Sequence, residues 1–138
     1  MRILAIDPGE KRIGIAISDP SGTIAAPLTV LRHVSRPIDA ASIADLAKQN
    51  QVGLIIIGVS LDDEGLPTSQ SRRSDRLVEA INQQCNIPIS TWDESFSTQD
   101  ARQAKIEMGM NRRKRSGHLD ELAATVILQS YLDAQLDK

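Results

Sequence analysis

Acidic residues occur at three places in this sequence where a charge is not needed to keep the protein soluble. Asp7 directly follows the apolar run Ile3–Ile6, and the pair Asp93 and Glu94 follows another short apolar segment. Asp120 begins a stripe of residues with helical spacing, which continues through Ala123, Ala124, Ile127, Leu128 and Tyr131. A carboxylate on a buried face is costly unless a cation or a hydrogen-bond donor compensates it. These acids are therefore candidates for chemistry.

The chemistry that such acids favour is binding of a hard divalent cation. In sheets with parallel strands, sites lie outside the carboxyl ends of the strands, where we expect Asp7 and Glu94. A helix packed across that end would deliver Asp120, and Asp93 is a fourth candidate ligand. An all-oxygen donor set suits Mg²⁺ or Mn²⁺, and two such ions about 4 Å apart can clamp the reacting oxygens of a phosphoryl displacement. Taken singly, each acid also fits a structural role at a turn, a strand end or a helix start.

Composition restricts the class of protein. The chain has 138 residues, 41% hydrophobic and 25% charged, which predicts one globular domain spanning residues 1–138. Cys85 is the only cysteine, so an intrachain disulfide and a multi-cysteine metal site are excluded. The run Leu54–Ile57 is far shorter than the ~20 residues that span a bilayer, and Asp7 comes too early for a signal peptide. We therefore expect a cytoplasmic protein without a membrane partner.

Charge is distributed unevenly along the chain. The net charge is −2, but residues 102–115 contain six basic residues and one acid, a net of +5. The other residues carry ten basic and 17 acidic side chains, a net of −7. The core of the basic segment is a predicted loop, Arg112, Arg113, Lys114 and Arg115, which could contact a phosphate backbone in a salt-dependent way or could simply be solvated. Aromatic residues make up 2% of the chain, which argues against base stacking as the mode of binding.

The pattern of apolar residues and turns predicts an α/β fold. Three short segments, from Ile3 to about Leu31, have the alternation and tight turns of an antiparallel meander. Helical and strand-like segments then alternate. The first predicted helix has Pro37 in its first turn and an apolar stripe of Ile43, Leu46 and Ala47, and the others are predicted at 74–85, 97–108 and from about 117 to 135. The order β-β-β-α-β-α-β-α-α implies a five-stranded mixed sheet with helices on both faces.

Four sequence blocks follow one another along nearly the whole chain. The most specific is the opening block Leu4–Asp19, LAIDPGEKRIGIAISD, and the later ones are Ile57-Gly58 with Gly65, Asp93–Thr98, and His118–Ala124 with Ile127–Leu132. In these blocks the chain resembles the YqgF/RuvX family. Members of this family are regarded as RNase H-like relatives of Holliday-junction resolvases and as nucleases that mature the 5′ end of pre-16S rRNA.

The resemblance implies roles for particular residues. It implies an RNase H-like fold, and it maps the family's metal-binding acids onto Asp7, Glu94 and Asp120. Lys11 and Arg12, on the turn beside Asp7, would contact phosphate. Two departures stand out: Ser60 occupies a usual proline position, and Ser95 replaces an arginine that usually follows the acidic pair. Both departures leave the carboxylates in place, but Ser95 removes a cation beside them.

Three functional hypotheses follow. The favoured one is a metal-dependent endonuclease that uses one or two Mg²⁺ or Mn²⁺ ions to cut structured nucleic acid. Its substrate would be precursor rRNA, in association with a pre-30S ribosomal particle, or branched DNA, for which a homodimer would match the two-fold symmetry of the junction. The second is a non-catalytic RNA-binding module of ribosome assembly. The third interprets Asp7-Pro8-Gly9 as the phosphate loop of an actin-like ATPase or sugar kinase.

Overall fold

A mixed sheet of five strands organises the computed structural model, which describes residues 1–94 and 119–136. The strands lie in the order β3-β2-β1-β4-β5. Strands β1, β2 and β3 are antiparallel, whereas β4 and β5 run parallel to β1. Their bounds are Arg2–Pro8 (β1), Arg12–Ser18 (β2), Ala25–Arg32 (β3), Val52–Val59 (β4) and Ile89–Asp93 (β5). The predicted meander and mixed five-stranded sheet are confirmed.

The edge strand β3 contains the proline that the sequence assigned to an edge or a bulge. The register between β2 and β3 shifts between the pairs Ile15 with Thr29 and Ala16 with Pro27. Proline lacks the N–H that a central strand needs, so an outer, irregular strand tolerates it. The turn before β3 is closed by a hydrogen bond from Gly22 N to Asp19 O at 3.0 Å.

Three helices are described: α1 (Arg36–Gln49), α2 (Ser69–Asn82) and α3 (Leu119–Leu136). The hydroxyl of Ser35 caps α1, and a proline occupies its first turn. The predicted start of α2 at residue 74 is wrong by five residues. Thr68 and Ser71 form a reciprocal capping box there, with a serine in place of the usual Glu or Gln, so the usual signal is missing from the sequence.

The helices pack on opposite faces of the sheet and define two cores. Helices α1 and α2 cover one face, which contains Leu4, Ile6 and Ile57. Helix α3 covers the other, where Ile3, Ala5, Ala16 and Ile56 contact Ala124, Ile127, Leu128 and Leu132. Successive side chains of a strand point to opposite faces, so this split assigns the residues of β1, β4 and β5 to one side or the other. The predicted helices on both faces are confirmed.

Three hydrogen bonds fix α3 against the two edges of the sheet. At the β3 edge, the side-chain amide of Gln129 accepts from Ala25 N at 2.9 Å and donates to Thr23 O at 3.1 Å. At the β5 edge, Trp92 Nε1 donates to Ser130 Oγ at 3.2 Å, and the Trp92 ring meets Tyr131 edge-on with centroids 5.3 Å apart. These bonds set the position of α3 across the sheet.

Two predicted segments lie outside the described residues: the helix at 97–108 and the basic run at 112–115. Within residues 1–94 and 119–136, no helix combines the length and the apolar character required to cross a membrane.

Candidate active site

Asp7 lies on the α3 face of the sheet. Ile3 and Ala5 belong to the core beneath α3, and strand alternation places Asp7 on the same side. The last parallel pair between β1 and β4 is Ile6 with Ile57, so the next residues along the two strands are Asp7 and Gly58. Asp7 is half-buried at the carboxyl end of β1, as the sequence predicted.

Glu94 reaches the same place from β5, across β4. A Cβ on Gly58 would lie 2.9 Å from Oε1 of Glu94 and 3.3 Å from its Cγ. The Glu94 side chain therefore lies over the space that the glycine leaves open, on the side where Ile127 of α3 also packs. The missing side chain at residue 58 allows a carboxylate from β5 to approach the strand next to Asp7.

Two side chains of α2 hold the carboxyl end of β4. Gln70 Nε2 donates to the carbonyl oxygen of Gly58 at 3.1 Å and lies 3.4 Å from Glu94 Oε1, while its own Oε1 accepts from Ser60 N at 2.6 Å. The hydroxyl of Ser74 donates to the same Gly58 carbonyl at 2.8 Å. Gln70 thus connects the strand end to the Glu94 carboxylate. The sequence analysis missed this residue because a glutamine at the start of a helix has no distinguishing signal.

Asp93 lies on the other side of the sheet from Glu94. It pairs with Val59 in the β4–β5 register, and its neighbour Trp92 belongs to the α3 core. Alternation then directs Asp93 toward the face covered by α1 and α2. Of the two adjacent acids, Glu94 is the one that shares a face with Asp7.

Asp120 belongs to the first turn of α3, and its side chain lies outside the described part. Ile127, which packs over Gly58, comes two helical turns later, or about 10 Å along the helix axis. The predicted inward stripe of α3 is observed in its described part, where Ala124, Ile127 and Leu128 are buried. The role of Asp120 remains a prediction.

Cationic side chains border the site on the β1–β2 side. Lys11 and Arg12, predicted to contact phosphate, are exposed at the turn after β1 and at the start of β2. Arg12 is directly opposite Arg32 in the antiparallel register, and Arg32 is a residue that sequence reasoning did not identify. Strand alternation places Arg12 and Arg32 on the α3 face together with Asp7.

The donor chemistry of this edge fits a hard cation. Asp7 and Glu94 provide carboxylate oxygens from neighbouring parts of one face, which are the ligands that Mg²⁺ and Mn²⁺ prefer. Among the described residues, no group of three Asp, Glu, His or Cys side chains lies close enough together to bind one metal ion. A third protein ligand would therefore have to come from a residue such as Asp120.

Comparison with solved structures identifies the class of fold. Thermus thermophilus RuvC in complex with a Holliday junction substrate superimposes with a TM-score of 0.70 at 13% identity, covering 100% of this chain and 97% of the other. The fowlpox virus resolvase, in a complex with Holliday junction DNA, gives a TM-score of 0.60 at 14% identity over 99% of both chains. The fold is therefore the RNase H-like fold of the junction resolvases.

Sequence comparison identifies the family within that class. The model described as "RuvX: Holliday junction resolvase" matches residues 1–134. A protein of Thermoanaerobacter pseudethanolicus is 41% identical over 139 residues, and one of Clostridium acetobutylicum is 38% identical over 134 residues, covering 97% of this chain and 99% of that one. Both carry the name "Putative pre-16S rRNA nuclease". The chain belongs to the RuvX (YqgF) family, as its sequence motifs implied.

Proposed function

We propose that this protein is a divalent-metal-dependent endonuclease that hydrolyses phosphodiester bonds in structured nucleic acid, with the precursor of 16S rRNA as its substrate. The observation that carries the proposal is the approach of Glu94 over Gly58 to the strand end beside Asp7. Two carboxylates on one face, at the carboxyl end of parallel strands, form an oxygen-lined site for a cation. The names of the relatives support the substrate class, and the shared fold supports the arrangement.

Each residue has a distinct part in this proposal. Asp7, Glu94 and Asp120 would hold one or two Mg²⁺ or Mn²⁺ ions, whose chemistry is to activate water and to neutralise charge on the reacting phosphate. Gln70 positions the Glu94 carboxylate. Arg12 and Arg32 would contact phosphates, because strand alternation places them on the same side of the sheet as Asp7. Lys11, on the adjoining turn, would add a further contact. The basic run Arg112, Arg113, Lys114 and Arg115 would add further backbone contacts.

The decisive experiment compares three carboxylate variants in a cleavage assay with Mn²⁺. Asp7→Asn and Glu94→Gln keep size and hydrogen bonding but remove the negative charge, so we expect each to abolish cleavage while the circular dichroism spectrum remains native. Asp120→Asn should have the same effect. Cleavage at the wild-type rate by purified Asp7→Asn would rule out the proposed site.

A matched control comes from the neighbouring acid. Asp93→Asn removes the same charge one residue from Glu94, but from the opposite face of the sheet. We expect this variant to cut at a rate within about twofold of wild type, because a residue off the site contributes little transition-state stabilisation. If Asp93→Asn is inactive and Glu94→Gln is active, the assignment of the two acids is reversed.

The substrate is settled by parallel arms of the same assay. A fragment that contains the 5′ precursor segment of 16S rRNA is compared with a four-way DNA junction and with a linear duplex. The proposal requires metal-dependent cleavage of the rRNA fragment. Cutting of the junction alone would instead favour a resolvase. RNA binding that survives EDTA, with no product from any substrate, would indicate a non-catalytic assembly module.

A further inference from the structure

A second concave site lies on the face opposite the two carboxylates. A cavity of about 360 Å³ opens between the turn that follows β1, the start of α1 and one side of α2. Its lining includes the apolar residues Pro8, Ile13 and Leu77, together with His33, Arg36 and Arg73. A volume above ~300 Å³ with apolar walls and a few polar groups is typical of small-ligand sites.

One side of this cavity contains a buried carboxylate, that of Asp39, which lies against His33. Asp39 is 4% exposed, and its Oδ2 lies 2.5 Å from Nδ1 of His33. Its Oδ1 accepts from Val34 N at 3.0 Å. Because each carboxylate oxygen of Asp39 already has a donor, this acid orients the imidazole of His33. Asp39, in the first turn of α1, thus fixes the partly exposed His33 at the edge of the cavity through a buried carboxylate, which is costly unless its partners compensate it.

Arg73 provides the second argument. Its Nε is buried, and within the described part of the chain it has no hydrogen-bond partner. A buried donor that lacks an acceptor costs free energy, commonly about 1–3 kcal/mol, which would be recovered if the guanidinium turned toward an acceptor in the cavity. A guanidinium is best satisfied by a planar or tetrahedral oxyanion. Arg73 therefore indicates which kind of ligand the cavity accepts.

The other charges around the cavity support an anion. Arg36, the first residue of α1, brings a second guanidinium-bearing side chain to the lining of the cavity. Glu10 at the rim is exposed to solvent, and the carboxylate of Asp39 is already occupied by His33. The residues that line the cavity therefore include two arginines and a histidine, while apolar walls complete it.

From these observations we propose that the cavity binds the phosphate group of a nucleotide, with the phosphate on Arg73 and Arg36 and the sugar or base against Ile13 and Leu77. The cavity begins at Pro8 and Gly9, immediately after Asp7. A nucleic-acid strand that passes over the turn between β1 and β2 would therefore have one phosphate at the carboxylates and another in the cavity. The part of this proposal that assigns the nucleotide to a nucleic-acid strand rests on the proposed function. The part that assigns a phosphate to the cavity does not depend on it.

The first test uses binding alone, without metal and without cleavage. Inorganic phosphate and a nucleoside 5′-monophosphate are titrated into the full-length protein in EDTA, and the Nε–H resonance of Arg73 and the amide of Gly9 are followed by NMR. We expect saturable shifts of both signals. Arg73→Met should weaken binding at least tenfold without loss of thermal stability, because the buried Nε lacks a partner. Arg76→Met, on the exposed side of the same helix, is the matched control and should bind as wild type does.

A second arm identifies the source of the nucleotide. Arg73→Met should raise the KM for the cleaved strand at least tenfold and leave kcat within twofold, which a purely structural residue would not do. If free nucleotide binding is lost while strand affinity is unchanged, the strand part of the proposal is overturned. If Arg73→Met binds phosphate as wild type does, the whole site is overturned. A failure of the nuclease proposal can be distinguished from a failure of this one. In that case the wild-type protein would cleave none of the substrates, while phosphate would still bind in these titrations.

Discussion

The carboxylate of Glu94 occupies the space that a side chain at Gly58 would fill: a Cβ there would lie 2.9 Å from Glu94 Oε1. The same Cβ would lie 2.9 Å from Cδ1 of Ile127. Glycine is thus required at this position by its neighbours and not by its backbone conformation. The position of one candidate ligand depends on a residue that has no functional group.

Gly58→Ala should displace Glu94 more than it disturbs the fold. Both clashing atoms are ends of side chains that can turn away, so we expect a loss of about 1–3 kcal/mol in the free energy of unfolding. The cleavage rate should fall by more than tenfold, because displacing a reacting or ligating group by about 1 Å can lower the rate of an enzyme about a hundredfold. Chemical denaturation and Mn²⁺-dependent cleavage measure the two effects.

Gly53→Ala is the control in the same strand. Its Cβ would lie 2.7 Å from Sδ of Met1, a mostly exposed side chain at the chain terminus that can move freely. We expect this variant to cleave at the wild-type rate. Equal losses of activity in the two variants would show that strand distortion, and not the displacement of Glu94, is responsible.

Gln70→Leu should weaken the site through Glu94. The substitution removes the donor to Gly58 O and Glu94 Oε1 and the acceptor for Ser60 N. Because the contact to Glu94 is long, we expect a modest loss, about threefold to tenfold in kcat/KM. A positioning role also requires that the Mn²⁺ concentration for half-maximal rate increase. Gln84→Leu, at an exposed position in the turn that follows the same helix, should change neither quantity. A drop in rate with unaltered Mn²⁺ dependence in Gln70→Leu would contradict the role.

Asp19 should make the stability of the β2–β3 turn depend on pH. Its carboxylate accepts hydrogen bonds from the backbone of Ile24, from the hydroxyl of Ser21 and from the backbone of Thr23, and these bonds lower the pKa of Asp19 well below its ordinary value of 3.8. A depressed folded-state pKa stabilises the protein above the unfolded pKa and loses that contribution as pH falls.

The variant Asp19→Ala tests this dependence. It should have a lower free energy of unfolding than wild type at neutral pH, and the difference should shrink as the pH falls below about 4. Urea denaturation at a series of pH values measures it. A difference that stays constant down to about pH 2 would show that the charge of Asp19 does not contribute to the turn.

Neutralising the basic run should change the salt dependence of binding. Replacing Arg112, Arg113, Lys114 and Arg115 by glutamine removes up to four phosphate contacts. Each contact contributes about 0.7–0.9 to the slope of log affinity against log salt, so the slope should become shallower by about 3. Fluorescence anisotropy with a labelled RNA at several salt concentrations measures it. An unchanged slope would mean that the run is a solvated segment.

The sequence predicts the sheet well because its signals are local. Alternating isoleucines define β2, the continuous apolar run defines β4, and Pro27 marks an edge strand, each through a few consecutive residues. The start of α2 is not predictable in this way, since Thr68 pairs with a serine in its cap. The positions of Asp7 and Glu94 at strand ends also follow from sequence. The glycine and glutamine that position Glu94 do not, because their roles arise from contacts between distant segments.

The hydrogen bond from Ala25 N of β3 to the side chain of Gln129 in α3 joins residues 104 positions apart in the chain. One face of the sheet, with Ile3, Ala5, Ala16 and Ile56, is therefore left uncovered until α3 has been synthesised. A nascent chain that still lacks α3 would expose this apolar surface, which favours aggregation. Formation of the core beneath α3 is thus coupled to synthesis of that helix, and closing the chain over 104 positions adds an entropic barrier to it.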